Sequence, residues 1–210
     1  MKKTQLLLIM ICMSFGINAQ NISLPKPLMD GKVDALKAIN TRQSDRSFKD
    51  GDISMQDLAT ILQAGFGYSH CEKRTAPTAM NSQDIDLYVF LESGIYLWNA
   101  KNNELVLIKK GDYRNKTDRD NGFASKVTNI AIVSDLNKFR MKDNNRTANI
   151  FGAMSAAYVS ENIYIAIAST DNNIGTVVRY TAKEEKQLRE IIKLKDSQVI
   201  FLFQTIGYKK

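Results

Sequence analysis

A chain of 210 residues, 44% of them hydrophobic and 24% charged, is long enough for one domain with a sizeable core and requires no second. Its formal net charge of +7 comes from scattered lysines and arginines, without a polybasic run or an interleaved aromatic platform, which argues against a nucleic-acid surface. A single histidine leaves no partner for a catalytic triad and, with two cysteines, too few ligands for a transition-metal site.

Residues 1–19 carry Lys2 and Lys3, an apolar run from Leu6 to Ile17 and the small residue Ala19. This is the pattern of a secretory signal cleaved after Ala19; the run is shorter than the roughly 20 residues that cross a bilayer. Cys12 lies inside the run behind Ile11, so a lipid anchor is not expected. Cleavage of residues 1–19 of 210 leaves 191, takes the charge from +7 to +5 by loss of Lys2 and Lys3, and leaves Cys71 as the sole cysteine. An intrachain disulfide and a CxxC redox pair are then excluded, and Cys71 beside His70 reads as a loop thiol. The expected location is periplasmic or secreted, with no membrane anchor.

In chain order, residues 20–29 hold two of the three prolines and read as an extended arm over the surface. Residues 30–41 carry Val33, Leu36 and Ile39 at three-residue spacing, which predicts a short helix with one buried stripe. It ends at TRQSDRSF, where Arg42, Ser44 and Arg46 occupy alternate positions on a loop free to converge on a ligand. Ser54 with Asp57 resembles a capping box before a helix whose apolar face is Leu58, Ile61, Leu62 and Phe66, ending near Gly65 and Gly67. A polar stretch, YSHCEKRTAPTAMNSQ, follows.

Residues 85–92, 95–99 and 104–109 read as strands of an antiparallel meander, separated by Ser93-Gly94 and Asn102-Asn103 turns. Residues 110–125 are too polar for a core, and 127–134 form another strand. Residues 147–170 contain one charge, Glu161, and many small side chains. Asn149, Ser155, Ser160 and Asn162 interrupt the apolar run, so this is expected to be a buried central helix, with Gly152, Ala153, Ala156 and Ala157 allowing close approach of another helix. Thr181 with Glu184 caps a further helix bearing Leu188, Ile191 and Ile192, and 198–206 form a last apolar strand. The expected class is α+β, an antiparallel or mixed sheet packed with helices, over one domain from 30 to 210.

Taken in order, TRQSDRSF, RTAPTAMNSQ, ENIYIAIAST, NNIGTVVRY and the terminal TIGYKK resemble the FMN-dependent nitroreductase superfamily, and within it the SagB-type dehydrogenase branch in a small secreted form. The resemblance runs from about Asp30 to Lys210 and rests on order and spacing, since no one motif is specific. It implies FMN as cofactor and a homodimer with two interfacial sites. Arg42 matches an arginine forked onto the FMN phosphate, Ser44 its supplementary hydroxyl, Gln43 a contact to the pyrimidine or ribityl portion, and Arg46 a cation against N1 and the C2 carbonyl. Pro77, Thr78, Asn81 and Gln83 match a segment along the isoalloxazine ring that generally comes from the other subunit. Ile174, Gly175 and Thr176 match the segment whose backbone amide points at flavin N5, and Lys209 and Lys210 match a phosphate-end terminus.

Departures from the pattern are the absence of proline near Val127, Glu161 where glutamine is usual, and Gly-Tyr-Lys-Lys at the terminus. The implied activity passes hydride through N5 between a donor, NADPH or NADH in most relatives, and a small-molecule acceptor such as a nitro compound or quinone, with no titrating catalytic residue. The alternatives are a SagB-type dehydrogenase oxidising a substrate such as a peptide azoline, and a flavin-binding module without turnover.

Overall fold

The computed structural model describes residues 20–69, 72–118, 122–140, 145–170, 172–180, 182 and 185–210. The signal segment, the His70–Cys71 pair and the Thr181/Glu184 cap lie outside these residues. Strands β1 (Ile22–Ser23), β2 (Ile85–Leu91), β3 (Gly94–Asn99), β4 (Glu104–Lys110), β5 (Thr128–Asp135), β6 (Ile174–Arg179) and β7 (Gln198–Tyr208) form one antiparallel sheet in the order β1-β4-β3-β2-β5-β7-β6. Helices α1 (Ala35–Thr41), α2 (Met55–Phe66), α3 (Asn145–Ser169) and α4 (Glu185–Ile191) complete an α+β fold.

Both faces of the sheet are covered, which is why its central strands are apolar without alternation. On one face Leu87, Val89, Ile130, Ile132 and Ile206 pack with Leu58, Ile61, Leu62 and Phe66 of α2 and with Val159, Ile163 and Ile167 of α3. On the other, Tyr88, Phe90, Ala131, Val133 and Phe203 pack with Leu188 of α4 and with Ile192. Helix α2 starts as expected, the Ser54 hydroxyl accepting from the Asp57 amide at 3.0 Å. The arm at 20–29 is extended: Ile22 and Ser23 pair with the edge strand β4, and the Leu28 amide donates to Thr60 Oγ1 at 3.0 Å.

Three expectations change. The stripe of α1 is not buried: Leu36 is 79% and Ile39 52% exposed, and Ala38 faces inward instead. A helix of two turns lying on the end of α3 needs only one small contact residue. Helix α3 is not buried all round, because Ile150, Met154 and Tyr158, four residues apart, are 43–49% exposed, and Ala153, Ala157 and Glu161 are exposed as well. By length and composition α3 could cross a membrane. Its Ala156, Val159, Ile163 and Ile167 nevertheless belong to the core shared with the sheet, and Ser155 and Ser160 make buried hydrogen bonds to Asp84 and Gln204.

Residues 110–125, too polar in sequence for a core, contribute buried Arg114, Thr117 and Ala124. Arg114 is compensated by Asp52 at 3.0 Å and Asp112 at 2.8 Å, so its burial does not leave a charge alone. Strand β6 was not among the expected elements. It forms the edge of the sheet beside β7 and carries the NIGTVVR segment.

Candidate functional site

A cavity of about 310 Å³ opens where the C-terminal half of α3, the start of β6, the loop after α1 and the end of β7 meet. Arg42, Gln43, Asp45, Tyr164, Ile174 and Lys209 are among its lining residues. Arg42 stands at the C-cap of α1, its amide donating to the Ala38 carbonyl, and its guanidinium carbon lies 5.1 Å from the centre of the Tyr164 ring. Its Nε is buried and, among the described residues, has no hydrogen-bond partner. A buried guanidinium nitrogen without an acceptor is costly, a cost that an acceptor entering the cavity would relieve.

Tyr164 was not foreseen. Its hydroxyl shares a hydrogen bond with Ser44 Oγ at 2.8 Å and accepts from the Val178 amide at 2.9 Å, tying the TRQSDRSF loop to α3 and to the open edge of β6. Nothing in the sequence signals this contact, since Ser44 and Tyr164 are 120 residues apart. Asp45 was also missed. Its amide donates to the Thr176 carbonyl at 2.9 Å, its carboxylate lies 3.5 Å from Lys209 Nζ, and Gln43 Nε2 donates to it at 3.4 Å.

The structure therefore brings together Arg42, Gln43, Ser44, Ile174, Gly175 and Thr176, with Lys209 from the terminus. Gly175 is closely approached by Asp45: a Cβ at Gly175 would stand 2.7 Å from Asp45 Cβ. The Thr176 hydroxyl is committed to the core, donating to the Thr205 carbonyl at 2.9 Å and accepting from Gln204 at 2.8 Å. Arg46 is exposed beside this loop, and Lys210 is exposed, its amide donating to the Ser47 carbonyl at 3.4 Å.

Pro77, Thr78, Asn81 and Gln83 lie elsewhere. Pro77, Thr78 and Ala79 border a second hollow against Phe151, Met154, Ser155 and Tyr158, the N-terminal half of α3. From Met154 to Tyr164 is ten residues along one helix, a rise of about 15 Å. Met80, Asn81 and Gln83 have φ of +54°, +50° and +48°, a left-handed conformation that side chains rarely adopt and that persists only where the surroundings impose it.

Those surroundings are visible. Thr78 Oγ1 accepts from the Gln83 amide at 3.0 Å, and Gln83 Oε1 accepts from Arg74 Nε at 3.1 Å. Arg74 itself is stacked 4.0 Å from the Tyr68 ring centre and 4.6 Å from that of Phe66, and burial lowers its pKa. Asp84, fully buried, accepts from the hydroxyls of Ser82, Ser134 and Ser155 and so binds the segment to β5 and α3.

Beneath β6, Arg179 donates to Asn129 at 3.0 Å, to Thr205 at 2.8 Å and to the Thr117 carbonyl. Burial lowers its pKa to about 10, which still leaves it charged at neutral pH. Among the described residues no three His, Cys, Asp or Glu side chains gather as metal ligands.

The chain resembles solved structures over most of its length. A candidate nitroreductase from Ralstonia eutropha JMP134 superposes with a TM-score of 0.82 at 26% identity, covering 93% of this chain and 92% of that one. One from Anabaena variabilis ATCC 29413 gives 0.72 at 18% identity, with 90% of this chain matching 42% of that longer one. A candidate NADH oxidase from Clostridium acetobutylicum gives 0.53 at 19% identity, covering 84% and 88%; these last two show the fold alone. No curated protein matches the sequence. Residues 39–208 match the Nitroreductase family, and the chain belongs to that family of oxidoreductases.

Proposed function

We propose that the protein is an FMN-dependent oxidoreductase, passing hydride between NADPH or NADH and an organic acceptor such as a nitro compound or quinone. The observation that carries this reading is the buried, unpartnered Nε of Arg42 in a cavity that also holds Lys209. A planar fork and an ammonium facing one space suit a phosphate. When bound, FMN supplies the two-electron chemistry at N5, which the protein has only to position.

In this reading Arg42 and Lys209 hold the phosphate and the Ser44–Tyr164 pair fixes the loop that presents Arg42. Gln43 reaches the ribityl or pyrimidine portion. Arg46, exposed beside the cavity, would be the cation for the N1 and C2-carbonyl side, where a positive charge would favour the reduced cofactor. Ile174 and Thr176, which line the cavity with Gly175 between them, would hold the ring through their backbone, and Lys210 would supplement the phosphate end.

The 77–83 segment completes the site from a second copy. The exposed stripe Ile150, Met154 and Tyr158, with Ala153 and Ala157 beside it, suits a twofold contact in which two α3 helices cross antiparallel. Such a crossing sets the segment at one copy's N-terminal half against the cavity at the other's C-terminal half. Pro77, Thr78, Asn81 and Gln83 then lie along the ring. Export through residues 1–19 belongs to the same reading and places the enzyme outside the cytoplasm.

The test is the visible spectrum of the mature protein with added FMN, followed by anaerobic addition of NADPH or NADH. Bleaching of a protein-bound flavin band supports the reductase. A bound flavin that neither nicotinamide reduces turns the assignment to a SagB-type dehydrogenase fed by its own substrate, such as a peptide azoline, or to a flavin module without turnover. Failure to bind FMN at all overturns every flavin reading.

A further inference from the structure

We infer that Asp45 opposes the phosphate in this site and sets how tightly the cofactor is held, an inference that rests on the FMN reading above. Asp45 is the acidic member of a cavity lining whose cations are Arg42 and Lys209. Its side chain is held in place on two sides. The amide is fixed to the Thr176 carbonyl at 2.9 Å, and Cβ is pressed onto Gly175, where any larger residue would collide at 2.7 Å. The carboxylate, 20% exposed, is 3.5 Å from Lys209 Nζ, and that lysine side chain is 36% exposed.

Lys209 is thus already neutralised by a carboxylate that cannot withdraw far. A phosphate entering the cavity has to draw the ammonium from Asp45 and then lie beside the carboxylate that it left. Both effects weaken binding of an anion, and neither acts on a ligand without a phosphate. Arg42, whose Nε has no competing partner, remains the principal anion contact. A like charge at this range, partly solvated, is worth roughly tenfold in affinity.

The experiment titrates the full mature chain with FMN and, separately, with riboflavin, following quenching of flavin fluorescence. The proteins compared are the wild type, Asp45→Asn, Lys209→Met and the double variant. Asp45→Asn is expected to tighten FMN roughly tenfold and to leave riboflavin unchanged. Lys209→Met is expected to weaken FMN, and the gain from Asp45→Asn to shrink in that background, because the lysine is no longer there to be released. Asp45→Ser serves the same purpose should the asparagine variant fold poorly.

Unchanged or weaker FMN binding by Asp45→Asn, or an equal gain for riboflavin, overturns the role of Asp45. The FMN reading then stands, provided that the wild type binds FMN and Arg42→Ala weakens it. If no variant nor the wild type binds FMN, both fall together.

Discussion

The two ends of α3 are built differently. At the C-terminal half, around Tyr164, side chains are half-buried, cationic and cross-linked to three other elements within one chain. At the N-terminal half, around Met154, the helix presents exposed apolar side chains beside a strained segment that is anchored from below by Asp84 and Gln83 but open above. The first region is a cavity with Arg42 and Lys209 in its lining; the second is an apolar surface exposed on the single chain. In the proposed dimer a twofold contact along this one helix would join the two unlike halves.

Four changes break or sharpen that contrast. Met154→Asp places a charge in the middle of the exposed stripe without disturbing the core of the single chain. If two copies meet there, sedimentation will show the mass fall from two chains to one. FMN affinity should fall with it by roughly two orders of magnitude, since an unpaired charge in an interface costs about 3 kcal/mol or more. An unchanged dimer would sink the proposed face.

Arg42→Ala strikes the other end. Losing hydrogen bonds to a charged group costs about 1.5–3 kcal/mol, so FMN should bind roughly ten- to a hundredfold more weakly while riboflavin binds as before. Equal losses for both ligands would contradict the phosphate assignment.

Asp84→Ala removes the acceptor of three hydroxyls and should lower unfolding stability by about 1–3 kcal/mol in a urea titration. It should also make the 77–83 segment more open to proteolysis; a variant as resistant as the wild type would mean that the strained backbone is held by Arg74 and Thr78 alone.

The smallest effect is on the acid limb. Burial pushes the Asp112 pKa up, but side-chain and backbone hydrogen bonds involving Arg114 outweigh it and hold the carboxyl below its ordinary value. The contribution of this pair is therefore fully present above about pH 3.9 and is lost as pH falls through the lower folded-state value. Asp112 is 43% exposed, so screening keeps the effect under about 1 kcal/mol. Asp112→Asn should flatten that part of the stability profile, and an identical profile would show the pair to be energetically silent.

Much of the fold was legible in the residues. The Ser54 cap, the meander of β2 to β4 and the apolar runs of β5 and β7 follow from local turn chemistry and from burial on both faces of one sheet. Strand β6 escaped because its own residues, IGTVVR, were read as a ligand-facing segment. The burial of Arg114 and part-burial of Arg179 escaped because Asp52, Asn129 and Thr205, among their partners, are distant in sequence.

At the site, the alternation of Arg42, Ser44 and Arg46 could be read as ligand-directed chemistry from residue type and spacing, whereas the 77–83 segment was singled out by the family resemblance, and the left-handed backbone of Met80, Asn81 and Gln83 only by the structure. Which of them face a common cavity could not. Spacing in a sequence fixes hydrogen bonding along a helix or strand, but a cavity is a contact among residues such as Arg42, Tyr164 and Lys209 that only packing brings within a few ångströms. The sequence by itself determined most of the elements and their order, strand β6 excepted. The tertiary structure alone decided that Asp45 sits against Lys209, that Tyr164 holds Ser44, and that the motifs lie at opposite ends of α3, because those relations depend on distance through space and on which atoms are left without water.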